Sequence, residues 1–428
     1  LAPGGLRGDA AVQNRIKARL IAESLAAVRL DVMTVASTDW ALGTETVMSW
    51  VAELGLPVLA ANLQCNGSAP FPGYKIVESH GKKLGFVGIT AGQIDGCVLF
   101  DTARSIDTAV AAMGEVDVRI LLLPKPIRSI SGVTNIDVVL STNRGALDVG
   151  NGHSIEALTL QNRGKKLGKV TLTFAQPASP WNIQGSENEW VMRRDRLTRR
   201  LSSLKRRMST TQDVEERERL IQSLERVEAQ LAEAEMRVNA LTAKDSAQSN
   251  TVSFEDIALD RAVQDHPETQ RRVQAALERI AQQELGAHAN TFFERVADAN
   301  SVFLGADGCA GCHPNAMKQW LTTGHAKAMT TLITSNHQAD RDCVPCHSTG
   351  YGAPRGPQNP AEIKGLRDVQ CEACHGPGRD HATSPKQHPM TRIPNDANCI
   401  FCHDGERDEG RFNKETYWPK IVHSSGGR

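Results

Sequence analysis

The chain has 428 residues, with 49 Lys and Arg balanced by 49 Asp and Glu. This length predicts about two to four domains, and a chain that is 40% hydrophobic and 23% charged can bury a core. Because the net charge is zero, composition gives no argument for a protein that binds nucleic acid over its whole surface. No apolar run approaches the roughly 18 residues of a membrane span.

Residues 1–180 alternate predicted helices with predicted strands. Helical spacing of apolar residues predicts a helix over 15–30, and a second helix over 47–54 ends at Gly55. Short apolar runs predict buried strands over 31–35, 58–61, 83–90, 118–123 and 136–140. An alternating run predicts a strand with one exposed face over 169–174. This order predicts a layered α/β domain with a largely parallel sheet. The chain starts Leu-Ala-Pro-Gly-Gly without a signal peptide, which favours a processed or incomplete N-terminus.

This region contains the segments Pro-Val-Leu-Ala-Ala-Asn-Leu at 57–63, Gly-Lys-Lys-Leu-Gly-Phe-Val-Gly-Ile-Thr at 81–90 and Gly-Lys-Lys-Leu-Gly-Lys-Val at 164–170. These three segments resemble the 5′-nucleotidase-type metallophosphoesterases. The resemblance covers about residues 10–175 and implies the α/β fold of that family. Such enzymes hold two metal ions with Asp, His and Asn ligands on loops after the strands.

The metal ligands of that family are not matched in this chain. Its Asn and His positions correspond here to Ser37 and Thr38, and where further histidines should follow strands the chain has Lys125 and Arg144. These cations would repel metal ions. His153 is the nearest remaining histidine, and a surface loop is its simpler interpretation. We therefore expect a docking or assembly scaffold, with an active phosphoesterase as a lesser alternative.

The ten cysteines are distributed unevenly. Only Cys65 and Cys97 precede residue 300, and they could form one disulfide or remain two isolated thiols. The other eight lie between Cys309 and Cys402, whereas a fold held by disulfides would spread its cysteines more evenly. Composition thus separates a cysteine-poor body from a cysteine-rich C-terminal segment.

Residues 186–245 carry apolar residues at heptad spacing in two arms, the first rich in Arg and the second rich in Glu. Arms of opposite charge joined by a polar turn predict an antiparallel helical hairpin, or coiled coil. Thr211 or Asp213 would cap its second helix. The basic arm could bind nucleic acid or anionic lipid, but the acidic arm neutralises it, which favours a spacer or an oligomer contact.

The pattern of polar and apolar residues over 246–304 predicts a helical connector. It begins with a polar linker over 247–250, continues with a helix over 267–285, and has a second apolar helix around Phe292, Phe293 and Val296.

The motif Cys-x-x-Cys-His occurs four times in residues 305–428. Two thiols at this spacing on one helical turn reach the two vinyl groups of a porphyrin, and the adjacent histidine binds the iron from below. Two Cys₄ zinc sites are the alternative, but zinc does not require a histidine after each pair. We predict four haem c groups, attached at Cys309 and Cys312, Cys343 and Cys346, Cys371 and Cys374, and Cys399 and Cys402. The proximal ligands would be His313, His347, His375 and His403.

Three stretches surround or follow these motifs, at 320–329, 370–381 and 417–423. They resemble the tetrahaem cytochrome c554 family across nearly the whole of residues 305–425. The resemblance implies distal iron ligands for three haems: His381 for the first, His325 for the third and His423 for the fourth.

The second haem can lack a distal protein ligand in such families. His337 or His388 could supply it here, or both could be ordinary exposed histidines. Met317 and Met329 could also bind iron, although core packing is the favoured interpretation. The porphyrins themselves would form much of the core of this segment.

Together these patterns predict a multidomain protein. An α/β metallophosphoesterase-like domain over 1–180 is followed by a coiled-coil hairpin over 186–245, a connector over 246–304 and a tetrahaem module of helices and loops over 305–428. Four haems close in sequence predict a relay for electron transfer, and histidine ligation on both faces predicts low reduction potentials.

Haem attachment on the oxidising side of the bacterial membrane predicts a periplasmic or cell-surface location. We expect redox partner proteins such as other multihaem cytochromes, an oligomer, no nucleic acid and no membrane span. The main alternative is a haem enzyme that acts on a small nitrogen or sulfur compound at an open second haem.

Overall fold

The computed structural model of the chain divides into two compact units, residues 30–263 and residues 1–29 with 264–428. It describes residues 11–124, 130, 133, 135–141, 146–148, 154–159, 164–175, 181–184, 186–211, 214–242, 250–260, 262–286, 292, 297–404, 407–408 and 411–423. Within these ranges, no helix is both long and apolar enough to cross a membrane.

The described elements are numbered in chain order. The strands are β1 (Leu63–Cys65), β2 (Tyr74–Ser79), β3 (Lys82–Gly88), β4 (Cys97–Leu99), β5 (Val118–Leu123), β6 (Val138–Ser141), β7 (Ala146–Asp148), β8 (Ser154–Thr159), β9 (Lys166–Thr173), β10 (Trp181–Gln184) and β11 (Asn250–Ala258). The longer helices are α1 (Ala11–Ala27), α2 (Thr44–Leu54), α3 (Thr102–Met113), α4 (Ser186–Thr210), α5 (Val214–Thr242) and α6 (Pro267–Leu285). The short helices are α7 (Ala306–Ala310), α8 (Pro314–Trp320), α9 (Ala328–Thr334), α10 (Val344–His347), α11 (Cys371–His375), α12 (Arg379–Thr383), α13 (Asp396–Ile400) and α14 (Lys414–Tyr417). Single 3₁₀ turns lie at Trp40–Leu42, His325–Lys327, Pro360–Glu362, Lys364–Leu366 and Trp418–Lys420.

The unit of residues 30–263 is built on a six-stranded sheet with the order β2-β3-β5-β6-β8-β7. Neighbours from β3 to β8 are parallel, and β2 and β7 pair antiparallel at the two edges. The prediction of a largely parallel sheet is confirmed. A second sheet has the order β10-β11-β9, and β1 pairs with β4 beside a disulfide between Cys65 and Cys97.

Strand β5 shows how this unit is layered. Leu121 and Leu123 pack in one cluster with α3, while Val118 and Ile120 pack on the other face with Val252 of β11. Successive side chains of a strand point to opposite faces, so burial on both faces explains its unbroken apolar sequence. The layers are therefore a helix, the main sheet and the small sheet.

Two predicted strands of this unit are wrong. Over 31–35 and 58–61 the described structure has only one isolated parallel bridge, between Met33 and Val58. Two backbone bonds surround it, from Met33 N–H to Pro57 O at 3.0 Å and from Leu59 N–H to Met33 O at 2.8 Å. Pro57 has no N–H to extend this ladder. The strands predicted over 83–90, 118–123 and 136–140 are confirmed with shifted ends as β3, β5 and β6.

Helices α4 and α5 form the predicted hairpin. Leu197, Val227 and Ala234 belong to one buried cluster along its seam. The ion pairs Lys205–Glu228 and Arg207–Glu216 join the two arms at 3.1 and 2.8 Å. Coiled-coil supercoiling stays a prediction. The Thr211 hydroxyl donates a hydrogen bond to the side chain of Glu216, and its capping of α5 stays a prediction. Asp213 lies outside the described residues.

The predicted connector and domain boundaries differ from the structure. Residues 250–258 form β11, which pairs antiparallel with β9 in the small sheet, so they belong to the unit of residues 30–263. The helix predicted over 267–285 is confirmed as α6 in the other unit. Phe292 is buried there, whereas Phe293 and Val296 lie outside the described residues. Helix α1, predicted within the α/β domain, is grouped with residues 264–428.

The unit of residues 1–29 and 264–428 combines α1 and α6 with short helices and loops. Its core contains Ile280, Phe292, Met329, Val344 and Ile363. Met329 is 1% exposed in this cluster, in agreement with the favoured interpretation of core packing.

Candidate functional site

The four Cys-x-x-Cys-His motifs lie on or directly after the short helices α7, α10, α11 and α13. In the first and fourth motifs the N–H of the histidine donates to the carbonyl of the first cysteine, at 2.9 Å in both His313 and His403. This helical turn places the thiols and the imidazole of one motif side by side. None of the eight motif cysteines forms a disulfide, so each could attach to another group.

Thiols from different motifs lie next to one another. Cys309 of the first motif is hydrogen-bonded to Cys371 of the third, and this bond together with burial raises the pKa of Cys309. Cys346 of the second motif is hydrogen-bonded to Cys402 of the fourth, and that bond lowers the pKa of Cys346 to about 7.

The third and fourth motifs also meet. Burial first, and then the charge of Cys399, raises the pKa of Cys374, and Asn398 donates a 3.1 Å hydrogen bond to the carbonyl of Cys374. The motifs are therefore neighbours in the order first, third, fourth, second.

Three motif histidines face a second histidine from a distant part of the chain. The ring centres are 6.4 Å apart for His313 and His381, 6.3 Å for His325 and His403, and 5.7 Å for His375 and His423. Imidazole nitrogens bind metals at about 2 Å, so two rings on opposite sides of one ion have centres roughly 6 Å apart. The three pairs fit this requirement, and they are the residues that would hold haem iron.

Two of the facing pairs differ from the distal assignments that the family resemblance implies, and the iron ligation itself stays a prediction. His325 faces His403 of the fourth motif rather than His375 of the third, and His423 faces His375 rather than His403. His381 does face His313, as expected. The reason is topological, since nothing in the sequence spacing determines which of two neighbouring motifs a distant loop reaches.

Hydrogen bonds at Nδ1 orient several of these rings. The Nδ1 atom of His347 donates to the carbonyl of Ala328 at 2.6 Å, and that of His375 donates to the carbonyl of Thr391 at 2.6 Å. The Nδ1 atom of His381 donates to the carbonyl of His388 at 2.9 Å. A carbonyl only accepts, so Nδ1 carries the proton and Nε2 is left as the metal-binding atom.

The environment of His325 favours its metal-binding form. Burial lowers the pKa of this imidazole, and the neighbouring His403 lowers it further. A lowered pKa keeps the ring neutral near pH 7, and neutral imidazole is the form that binds metals. His403 is itself packed between rings, with Phe412 at 5.2 Å and Tyr417 at 5.5 Å between centres.

The second motif is arranged differently. Among the described residues, no histidine ring is placed opposite His347 in the way that the other three are paired. His337 Nδ1 lies 3.4 Å from Oδ2 of Asp340, and the exposed His388 contributes its carbonyl to the His381 bond. Ligation of the second iron by either histidine stays a prediction.

Asp340 links the second motif to helix α1. Its Oδ1 accepts hydrogen bonds from Lys17 at 2.6 Å and from Gln13 at 3.0 Å, and Lys17 also reaches Asp342 at 2.8 Å. Burial alone would raise the pKa of Asp340, but the bonds from His337 and Lys17 outweigh burial and lower it to about 2.

Zinc ligation finds less support than haem in the described residues. The one group of three metal-type ligands found there is His337, Asp340 and Cys343. Two sites of four cysteines each, which the zinc alternative requires, are not assembled among the described side chains.

In the unit of residues 30–263, the loops compared above with phosphoesterase ligands carry a hydrogen-bond network. Asp39 accepts from the N–H of Ala36 at 2.8 Å, and Asn62 both donates to and accepts from the backbone of Thr90. The Thr90 hydroxyl accepts from Trp40 and donates to the carbonyl of Val35. These buried polar groups are thus satisfied within the protein. Lys125, Arg144 and His153 lie outside the described residues.

Four Cys-x-x-Cys-His motifs with facing imidazoles are typical of multihaem c-type cytochromes. Residues 308–376 match the family described as "Cytochrome c554 and c-prime". The chain is also 34% identical over 73 residues to cytochrome c-554 of Nitrosomonas europaea, a match that covers 14% of this chain and 31% of that protein. The predicted resemblance of the C-terminal segment to cytochrome c554 is confirmed over this stretch.

Solved structures similar to the chain include two nucleotidases. The 5′-nucleotidase precursor from Thermus thermophilus is 12% identical, with a TM-score of 0.40, over 71% of this chain and 55% of that one. The NAD nucleotidase NadN of Haemophilus influenzae is 15% identical, with a TM-score of 0.27, over 33% of this chain and 32% of that one. The chain thus spans about half of the first structure, and likeness at these scores supports no conclusion about activity.

The sequence reasoning missed two residues of the site. Asp340 and Glu372 are both buried, and both connect separate segments through hydrogen bonds. Asp340 has no signal in the motif pattern. For Glu372 the one visible sign is an acidic residue inside a Cys-x-x-Cys-His motif, because a buried acid requires partners.

Proposed function

We propose that the chain is a multihaem electron carrier with four covalently attached haem c groups, located in the periplasm or at the cell surface. The observation that carries the proposal is the set of three facing histidine pairs at 5.7 to 6.4 Å. Each haem iron would accept and donate one electron. The match to cytochrome c554 supports the same function.

The residues of the site suit a carrier. Hydrogen bonds from Nδ1 to backbone carbonyls hold His347, His375 and His381 in fixed orientations, so a change of charge at the metal requires little movement of ligands. Contacts between motifs in the order first, third, fourth, second would make the attached groups neighbours in that order.

The rest of the chain would serve assembly. The α/β unit and the α4–α5 hairpin offer a scaffold for redox partners, such as other multihaem cytochromes, or for an oligomer. The disulfide between Cys65 and Cys97 supports an oxidising compartment.

Spectroelectrochemical titration of the purified, mature protein tests the proposal. We expect all four haems to be reduced and reoxidised reversibly, at low potentials for the three sites with paired histidines. A matched control replaces the two non-motif cysteines together, Cys65→Ser with Cys97→Ser, and should keep the full haem absorbance. Haem absorbance that does not respond reversibly to applied potential would contradict a role as carrier.

A haem enzyme is the second candidate function. It is favoured because, among the described residues, no imidazole lies opposite His347, which would leave one position of the second iron open. Carbon monoxide should then bind one of the four reduced haems, and turnover of a small nitrogen or sulfur compound should accompany it. Binding to none of them would remove this candidate. Metal-dependent hydrolysis of a nucleotide would instead support a phosphoesterase.

A further inference from the structure

Glu372, inside the third motif, is a buried carboxylate that joins three separate segments. It is 2% exposed. Its Oε2 accepts from the N–H of Gly305 at 2.7 Å and its Oε1 accepts from the N–H groups of Leu304 at 2.9 Å and Gly378 at 2.7 Å. All three partners are backbone donors, so both oxygens act as acceptors and the carboxylate needs no proton to satisfy them.

These three segments carry the ligands of two sites. Leu304 and Gly305 lead into α7 with Cys309 of the first motif, Glu372 lies in α11 of the third, and Gly378 precedes α12. Helix α12 contains His381, whose ring faces His313 of the first motif. A single side chain therefore fixes the first motif, its distal histidine and the third motif relative to one another.

The described contacts of this carboxylate include no Lys, Arg or His. Among the described salt bridges Glu372 has none, and its hydrogen bonds go to backbone N–H groups. A negative charge in a buried site is weakly screened and acts strongly on its neighbours.

The field of Glu372 reaches attachment residues of both sites. The pKa of Cys309 is raised by its bond to Cys371 and by burial, and the charge of Glu372 raises it further. The bond to Cys309 lowers the pKa of Cys371, and Glu372 acts against this lowering.

We propose that Glu372 is a positioning residue shared by the first and third haem sites, and that its buried negative charge lowers the reduction potentials of both. The physical reason is that a nearby anion stabilises the more positively charged, oxidised iron. This inference rests on the proposed haem-carrying function. Four haems on the wild-type chain are its precondition, and their absence would contradict the proposed function rather than the role of Glu372.

The test compares Glu372→Gln and Glu372→Asp holoproteins with wild type by potentiometric titration, while mass spectrometry of haem peptides assigns the haems to their motifs. Glu372→Gln keeps the length and removes the charge, so two of the four midpoint potentials should rise, or haem should be lost from the first and third motifs alone. Glu372→Asp keeps the charge and should restore wild-type potentials.

The matched control is Glu362→Gln. Glu362 is an exposed acid of the same unit that also accepts a backbone hydrogen bond, from Gln358 at 2.7 Å, and its replacement should leave all four potentials unchanged. The proposal is overturned if Glu372→Gln keeps four wild-type potentials, if its effect falls on the second or fourth motif, or if Glu372→Asp behaves like Glu372→Gln.

Discussion

The imidazole of His325 shows what a single residue contributes at this site. It faces His403 at 6.3 Å between ring centres, so His325→Ala should open one axial position of the fourth haem and convert one low-spin signal to high spin. The exposed His266→Ala, which lies outside the haem motifs and their facing histidines, serves as the control. Electron paramagnetic resonance checks the pairing in two variants that each lack one haem site. With Cys371 and Cys374 changed to Ser, His325→Ala should still convert one low-spin signal to high spin. With Cys399 and Cys402 changed to Ser, the same substitution should change no signal.

Asp340 predicts a pH dependence of stability. Its pKa is lowered from 3.8 to about 2 in the folded protein. The folded state therefore favours the carboxylate, and this stabilisation is present above pH 4 and is lost as pH falls from about 4 to about 2. The difference corresponds to about 2 kcal/mol. Acid unfolding of wild type and Asp340→Asn measures it. An equally steep loss of stability in the variant over this window would contradict the assignment.

Lys17 predicts the cost of breaking the buried pair. The Lys17 and Asp340 side chains are 20% and 4% exposed, and removing one partner of a buried pair costs about 3 kcal/mol. Lys17→Met should therefore lower the free energy of unfolding by about that amount. Lys205→Met breaks an exposed pair and should cost less than about 1 kcal/mol. Equal effects in denaturant titrations would show that α1 is not anchored through Asp340.

Residues of the site could be predicted where the sequence signal lies within a few neighbouring positions, and not where it depends on distant partners. The motif cysteines and histidines could be named because their chemistry is written within five consecutive residues. The partners of His375 and His403 were exchanged because two loops arrive at neighbouring motifs and only the folded chain decides which loop reaches which. Glu372 acts through backbone N–H groups, and Asp340 acts through side chains such as Lys17 that lie far away in the sequence, so neither leaves a sequence signature.

At the scale of elements, the hairpin offers a matched pair of substitutions. Val227 is 2% exposed in the seam, whereas Ile221 of the same helix is 43% exposed. Val227→Ala should destabilise the hairpin by about 2 kcal/mol because it removes buried methyl groups. Ile221→Ala should cost clearly less. Hydrogen exchange of the two helices measures both, and equal protection in the two variants would contradict the seam.

The disulfide between β1 and β4 stabilises a second element. It joins residues 32 positions apart, and closing a loop of this size stabilises the folded state by about 4 kcal/mol. The variant with Cys65→Ser and Cys97→Ser should show this loss in denaturant unfolding under oxidising conditions. Adding a reductant should lower wild type to the level of the variant and leave the variant unchanged. A reductant effect on both would point to another cause.

Elements were predictable where the chain marks their ends. Pro267 and Gly286 bound α6, and both are residues that start or stop helices. Apolar runs alone misled over 31–35 and 58–61, because a strand needs a hydrogen-bonded neighbour and Pro57 interrupts this one. The pairing of β11 with β9 was missed because it joins segments separated by the whole hairpin.

At the scale of the molecule, composition predicted the division into a cysteine-poor body and a cysteine-rich region. It did not predict that α1 groups with the C-terminal residues, because long-range partners such as Gln13 and Asp340 are not visible as a pattern. The whole-molecule claim is that four covalently attached haems link the motifs of one unit.

Mass spectrometry of the acid-acetone-extracted protein and of its proteolytic peptides tests this claim most directly. The pigment should stay with the polypeptide, and each of the four peptides that contain Cys309, Cys343, Cys371 and Cys399 should carry one haem. A colourless chain, or free thiols together with bound zinc, would contradict it.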